Sequence, residues 1–363
     1  MSLTESLVRQ ALSTVNDPDL HRDLVSLNMV KEVVVDGTAV TVGIELTTPA
    51  CPMKDKIRQD IEQAITEHAA AAGAAVGTIT VDYTAQVRGA GGDRESALPM
   101  VKHVIAVGAG KGGVGKSTVS TSLAVGLARH GAKVGLLDGD IYGPSMTTML
   151  GLDALPGDVQ NGLLMPFEVH GIKAMTIGKL VEPEKALIWR GPMAHGAFKQ
   201  LATQTDWGTL DYLIIDLPPG TGDVPLTLAQ LLPLSGAVVV CTPQKVAQDD
   251  ARRAVRMFEQ LNVNVLGIVE NMSYFVGDDG KEYDIFGRGG AEMLAQAMNL
   301  PFLGSVPIHM DMRANCDAGT PHKNWDENPK LSGELDTLVR NFASQVSIAT
   351  MQGSFVQPTL SIG

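Results

Sequence analysis

The stretch Gly108-Ala109-Gly110-Lys111-Gly112-Gly113-Val114-Gly115-Lys116-Ser117-Thr118 constrains the fold more than any other part of the chain. Gly110 through Ser117 fits the spacing G-x-x-x-x-G-K-S of a phosphate-gripping loop. Apolar Val104-Ile105-Ala106-Val107 reads as a strand before it and Ser117 to Arg129 as a helix after it, the order such a loop requires. The residue types follow from the chemistry. A backbone that wraps phosphate oxygens with N–H groups must approach them closely, hence the recurring glycines at 108, 110, 112, 113 and 115. The helix behind the loop turns its positive dipole end toward the same anion. Lys116 would reach the β- and γ-phosphates, and the Ser117 hydroxyl would ligate Mg²⁺. The plainer reading, a glycine-rich turn with a surface lysine, leaves the filled motif unexplained. The ligand implied is a nucleoside triphosphate, with ATP and Mg²⁺ expected. Residues Gly108 to Thr118 form the binding set.

A loop of this kind also needs a second carboxylate and a way to place water. Asp216 ends the strand-like run Tyr212-Leu213-Ile214-Ile215 and is the candidate to hold a metal-bound water. Leu217-Pro218-Pro219-Gly220-Thr221-Gly222-Asp223 follows it, rigid prolines and then glycines, as in a segment that senses the γ-phosphate. Leu137-Asp138-Gly139-Asp140 ends another strand-like run.

The remainder alternates strand and helix. Strands are expected near 103–108, 133–137, 211–216, 236–241, 265–270 and 302–306, and near-continuous apolar runs such as Ala237-Val238-Val239-Val240 suit strands buried on both faces. The fold class expected is α/β: a parallel-sheet ATPase domain over 100–347, preceded by a small α+β domain over 1–87. Residues 88–99 are polar and glycine-rich and read as a linker, and 348–363 as a disordered tail. In the small domain, helices are expected over Leu3 to Val15 and Met53 to Ala70. Strands are expected over Lys31 to Val35, Ala39 to Leu46 and Thr78 to Tyr83, the first two joined at Asp36-Gly37.

The formal charge of −12 argues against a general nucleic-acid binder, which needs a basic stripe, and 4% aromatic residues weakens single-strand stacking. No long apolar run and no signal peptide is evident, so a cytoplasmic chain that engages neither membrane nor nucleic acid is expected. Its three cysteines would then be reduced.

Lys111 in the second loop position resembles the signature lysine of the deviant Walker A ATPases, the group that contains MinD, ParA, the nitrogenase iron protein and the Mrp/ApbC iron-sulfur carriers. The resemblance implies a homodimer in which Lys111 crosses to the partner's nucleotide, much as an arginine finger supplied in trans is worth about 10³ to 10⁵ in rate. It makes Lys111, Lys116 and Asp140 the catalytic candidates, Asp140 orienting the attacking water, and leaves Asp138 a structural role. Asp138 through Ser145, Trp189-Arg190-Gly191-Pro192-Met193, Asp211 through Asp223 and Glu270-Asn271-Met272-Ser273 resemble the Mrp/ApbC family specifically. Asn271 would then help to read adenine, although it could equally be a turn former after its strand. Arg190 reads as structural or interfacial. Asn16-Asp17-Pro18 and Thr47-Thr48-Pro49-Ala50-Cys51-Pro52 resemble the small domain at the front of many Mrp-type proteins, which also occurs alone in iron-sulfur assembly factors.

That family implies an ATP-hydrolysing carrier that passes iron-sulfur clusters, [4Fe-4S] among them, to apo-proteins and works with scaffold proteins. The alternative is a dimerising switch of the MinD/ParA kind that positions or regulates partners. The chain departs from the family where many members carry C-x-x-C: here Gly277 and Gly280 stand in those places. Cys51, Cys241 and Cys316 remain. Cys241 reads as core. Cys51, at the start of a helix, is either a ligand with a lowered pKa or merely a packed thiol. Cys316 falls on a polar segment after the last strand. A dimer needs two cysteines per chain for four thiolates, which makes Cys51 with Cys316 the candidate cluster set.

Overall fold

The computed structural model describes residues 2–87, 89, 97–140, 143–179, 191–277 and 279–353. Most of the expected linker, Trp189-Arg190, Asp278 and the end of the expected tail lie outside these residues. The chain divides into two compact units, Met1–Arg88 and Gly89–Gly363.

In the first unit, α1 (Glu5–Leu12) starts at Thr4, whose hydroxyl accepts the Leu7 N–H and so satisfies one of the free donors of the first turn. Two short strands follow, β1 (Asn16–Asp17) and β2 (Arg22–Asp23). Then come β3 (Val30–Asp36), β4 (Ala39–Leu46), α2 (Lys54–Ala71) and β5 (Ile79–Ala85). β3 and β4 are antiparallel, β4 and β5 parallel, with α2 as the crossover. From Val40 to Leu46 the burial of β4 alternates strictly, as a sheet with one covered face requires. α2 buries Ile57, Ile61, Ala64 and Ile65, a helical stripe that packs with α1.

The second unit runs β6 (Val101–Gly108), α3 (Lys116–Arg129), β7 (Val134–Asp138), α4 (Met146–Met149), β8 (Asp158–Gln160), β9 (Leu163–Met165), β10 (Phe167–Val169), β11 (Ile172–Thr176), α5 (Gly191–Thr203), β12 (Leu210–Asp216), α6 (Asp223–Gln230) and β13 (Gly236–Cys241). It continues through α7 (Lys245–Gln260), β14 (Val265–Val276), β15 (Glu282–Tyr283), α8 (Gly290–Ala297), β16 (Phe302–Ile308), α9 (Met310–Asp317), α10 (Lys323–Asp326) and α11 (Pro329–Met351). The central sheet is nine-stranded in the order β10-β11-β7-β12-β6-β13-β14-β15, with β16 also paired to β14. It is mostly parallel; β10 and β15 are its antiparallel edges.

Strand β6 is buried from His103 to Gly108, because helices cover both faces. Val104, Ala106 and Leu213 share a core with Phe198 of α5, Leu228 of α6, Phe258 of α7 and Leu294 of α8. On the other face Tyr212 meets Phe342 of α11, which packs along α3. Fully burying one such aromatic side chain contributes roughly 1.5–3 kcal/mol. α11 starts at Asn328, whose side chain accepts the Leu331 N–H, and has proline at its first position. It continues through Met351, so residues 348–351, expected in the tail, are helical.

β10 and β11 had no counterpart among the expected strands, although β11 pairs in parallel with β7 and widens the sheet. β14 runs on to Val276, well beyond the expected end at 270. Among the described residues, no helix is long and apolar enough to cross a membrane.

Candidate functional site

The phosphate-type loop leaves the carboxyl end of β6 and enters α3, with β12 on one side of β6 and β13 on the other. β12 brings Asp216 level with Val107, and β7 brings Asp138 level with Asp216. Adjacent parallel strands therefore deliver the loop and both carboxylates to one edge.

Asp216 is fully buried and is the hub of the cluster. Ser117 Oγ donates to its Oδ2 at 2.6 Å, and Ser120 Oγ to its Oδ1 at 2.8 Å. Lys116 Nζ lies 2.7 Å from Asp216 Oδ1. That is an ion-pair separation, yet among the described residues Nζ has hydrogen-bond geometry toward no acceptor, although Lys116 is only 6% exposed. A buried ammonium with unspent N–H groups, at the head of a glycine loop, fits an anion such as a phosphate. Ser117 and Asp216 present a hydroxyl and a carboxylate oxygen side by side, the hard oxygen donors that Mg²⁺ prefers.

The loop is pressed against its surroundings. At Gly110 a β-carbon would run into the Asp250 carbonyl of α7. Gly115 has φ +80°, and a β-carbon there would run into Asn271 Nδ2. The segment after β12 closes over the loop: Gly220 N–H donates to Ala109 O at 2.9 Å, and Leu217 N–H to Val107 O at 3.0 Å.

Asp138 organises the segment that carries Asp140. It accepts hydrogen bonds from Asp140 N (3.1 Å), Met146 N (3.2 Å) and Thr176 Oγ1 (3.0 Å). Burial, followed by the charge of Asp216, pushes the Asp138 carboxyl up to about 7. Asp140 is itself half-buried at the end of this turn, on the same edge. Residues 141–142 lie outside the described set.

Two features of this edge were not anticipated. Ser120 sits one helical turn beyond Lys116 and shares Asp216 with it; the i+4 spacing carried that signal. Asn271 is neither exposed nor in a turn. It lies within β14, 4% exposed, and its Nδ2 donates to Val114 O at 2.8 Å. Lys111 is half-buried, and its ammonium is among the charges felt by Cys241.

The thiols sit on three separate elements. None is bridged. Cys51 is half-buried just ahead of α2, in the first unit. Cys241 ends β13 and is buried, in keeping with a core residue; burial pushes it up to about 12. Cys316 corrects an expectation. Its segment is the helix α9, and the side chain is 8% exposed. Burial raises its thiol to about 11, against a smaller opposing effect of the Asn324 side chain. So placed, Cys316 is the less accessible of the two thiols expected as a shared ligand set. Among the described residues, no group of three or more His, Cys, Asp or Glu could hold a metal ion.

The sequence profile of an iron-sulfur cluster assembly protein domain matches residues 5–81. An iron-sulfur cluster carrier protein of Deinococcus radiodurans is 46% identical over 351 residues, spanning 96% of this chain and 97% of its own. One from Synechocystis sp. is 45% identical over 361 residues, 96% and 99% of the two chains. A solved nucleotide-binding protein from Archaeoglobus fulgidus, in complex with ADP, superposes with a TM-score of 0.58 at 39% identity, covering 65% of this chain and 93% of that one. The profile of the NUBPL iron-transfer P-loop NTPases matches residues 100–343, and the chain belongs to that family.

Proposed function

We propose that this protein binds and hydrolyses ATP with Mg²⁺ and uses the cycle to carry an iron-sulfur cluster as cargo to apo-proteins, working as a homodimer. The single observation that carries the reading is the near-full-length likeness to iron-sulfur cluster carriers, which runs through both units of the chain. The same likeness is why a carrier is favoured over a MinD/ParA-like switch.

The hydrolytic part rests on the edge around Asp216. The backbone from Gly108 to Thr118 would bind the triphosphate, with Lys116 turning its free N–H groups from Asp216 to the β- and γ-oxygens. Ser117 Oγ and, through water, Asp216 would hold Mg²⁺, which when bound neutralises charge on the phosphate oxygens. Asp140, carried on the Asp138-anchored turn, would orient the attacking water. Lys111 would act across the dimer, so turnover per protomer should fall on dilution.

For the cargo, Cys51 is the thiol that fits best, being the one that is not buried. Two copies in a dimer supply two of the four thiolates of an ordinary cluster. Donor or recipient would complete the set, as suits transient holding. The test is anaerobic reconstitution with iron and sulfide, read by visible absorbance, alongside ATP turnover with and without Mg²⁺. Cluster uptake with Mg²⁺-dependent turnover is expected. Absence of a chromophore would remove the carrier reading, and absence of turnover the hydrolytic one.

A further inference from the structure

We propose that Asn271 is a positioning residue that braces the phosphate loop through the Val114 carbonyl, and that it supports nucleotide affinity by this route, with its second amide N–H left over for any contact to the base. The inference rests on the nucleotide reading above and deepens it.

Asn271 Nδ2 donates to Val114 O at 2.8 Å. A carbonyl can be faced only by a donor, so the orientation of the amide is fixed by its partner. The next residue, Gly115, has φ +80°, and its α-carbon is packed so closely on Nδ2 that no side chain would fit between them. The Val114–Gly115 peptide is thus held both by a hydrogen bond and by contact. In a trans peptide the C=O and the N–H point opposite ways. Holding Val114 O toward β14 therefore turns the Gly115 N–H outward, as one of the donors a phosphate-wrapping loop needs.

The brace has a firm base. Next to Asn271 on the strand, the fully buried Glu270 carboxylate accepts Gly289 N at 2.9 Å and Ala291 N at 2.8 Å, and also takes a hydrogen bond from Ser273 Oγ. Successive side chains on a strand point to opposite sides. Glu270 therefore ties β14 to the start of α8 while Asn271 holds the loop.

The test uses the full-length protein and the variants Asn271→Asp and Asn271→Ala. Asn271→Asp keeps the volume and puts an acceptor against Val114 O; Asn271→Ala guards against misfolding of the first variant. In ligand-free protein, amide hydrogen exchange over residues 110–116 should speed up in both variants. Affinity for base-free tripolyphosphate with Mg²⁺ should fall along with that for ATP, on the order of tenfold or more, at unchanged stoichiometry. Unchanged loop exchange, with a loss confined to ATP, would overturn the brace and leave the nucleotide reading standing. Wild-type protein that binds neither ligand would overturn that reading, and this inference with it.

Discussion

The edge of the central sheet at Asp216 and the three cysteines are two regions built on opposite principles. At the edge, Lys116, Ser117 and Ser120 each place a polar atom 2.6–2.8 Å from an Asp216 carboxylate oxygen although Asp216 lies far along the chain. Parallel pairing of β6 with β12 enforces that convergence, register by register. The thiols have no such frame. One precedes a helix in the small unit, one ends a core strand, and one is turned into the protein from α9. A site whose parts hang on neighbouring strands is assembled by the fold itself, whereas a ligand set scattered over unrelated elements needs something further to bring it together.

The largest effect should come from removing the centre of the edge. Lys116→Ala removes the cation paired with the buried Asp216 carboxylate and leaves it the Ser117 and Ser120 hydroxyls, and breaking a buried pair in this way typically costs about 3–5 kcal/mol. Denaturant unfolding should register that loss, and nucleotide binding should vanish. A variant as stable as the wild type would mean that the pair is solvated and the hub is not what holds this edge.

Asp138 sharpens the comparison through pH. Its carboxyl sits near 7 in the folded protein, against an ordinary value of 3.8. Because the folded value is the higher one, the native state holds a proton that the unfolded chain has released between those two limits. Stability from this group is therefore full below about pH 4 and lost as pH rises through 7. With each unit worth about 1.4 kcal/mol, the loss is at most about 4 kcal/mol. Unfolding midpoints at pH 4.5 and 7.5, taken in a chelator, should differ more for wild type than for Asp138→Asn; equal differences would show that Asp138 does not titrate in this window.

Asp140→Ala should slow turnover by about 10² or more while ATP affinity stays near the wild-type value, as for a residue that only orients water. Parallel losses of rate and affinity would instead mark it as part of the binding loop.

How much of this could be read from residues alone follows the same division. The loop Gly108–Thr118, Asp216 at a strand end and the main parallel strands were legible because each is a local pattern: contiguous glycines, a carboxylate closing an apolar run, a strand buried on both faces. β10 and β11 were missed because both are short and lie beside the β8–β9 hairpin, in a stretch without regular alternation. The role of Asn271 was hidden because its partner, Val114 O, is a backbone atom far away in sequence. Cys316 was misjudged for a related reason. Arg313, Asn315 and Asp317 make its segment look polar, but the helix they form turns Met312, Asn315 and Cys316 inward and leaves Arg313 and Asp317 paired on the outside.

The smallest effect is predicted for Cys316→Ala, and for that reason it tests the comparison most directly. If Cys316 stays as enclosed in solution as it is in α9, cluster loading after anaerobic reconstitution should change by less than about twofold in Cys316→Ala, whereas Cys51→Ala should lose most of it. The physical basis is ionisation and access together. A thiol near 11 is only about a thousandth ionised at pH 8, and Cys316 is almost wholly enclosed. Alkylation of the native protein at pH 8 should accordingly label Cys51 well before Cys316 or Cys241, both of which should react freely once the chain is unfolded. Native labelling of Cys316 at the rate of Cys51, together with loss of the chromophore in Cys316→Ala, would mean that α9 opens in solution. The cysteines would then form a site that a second protomer or a conformational change completes, and the contrast with the Asp216 edge would disappear.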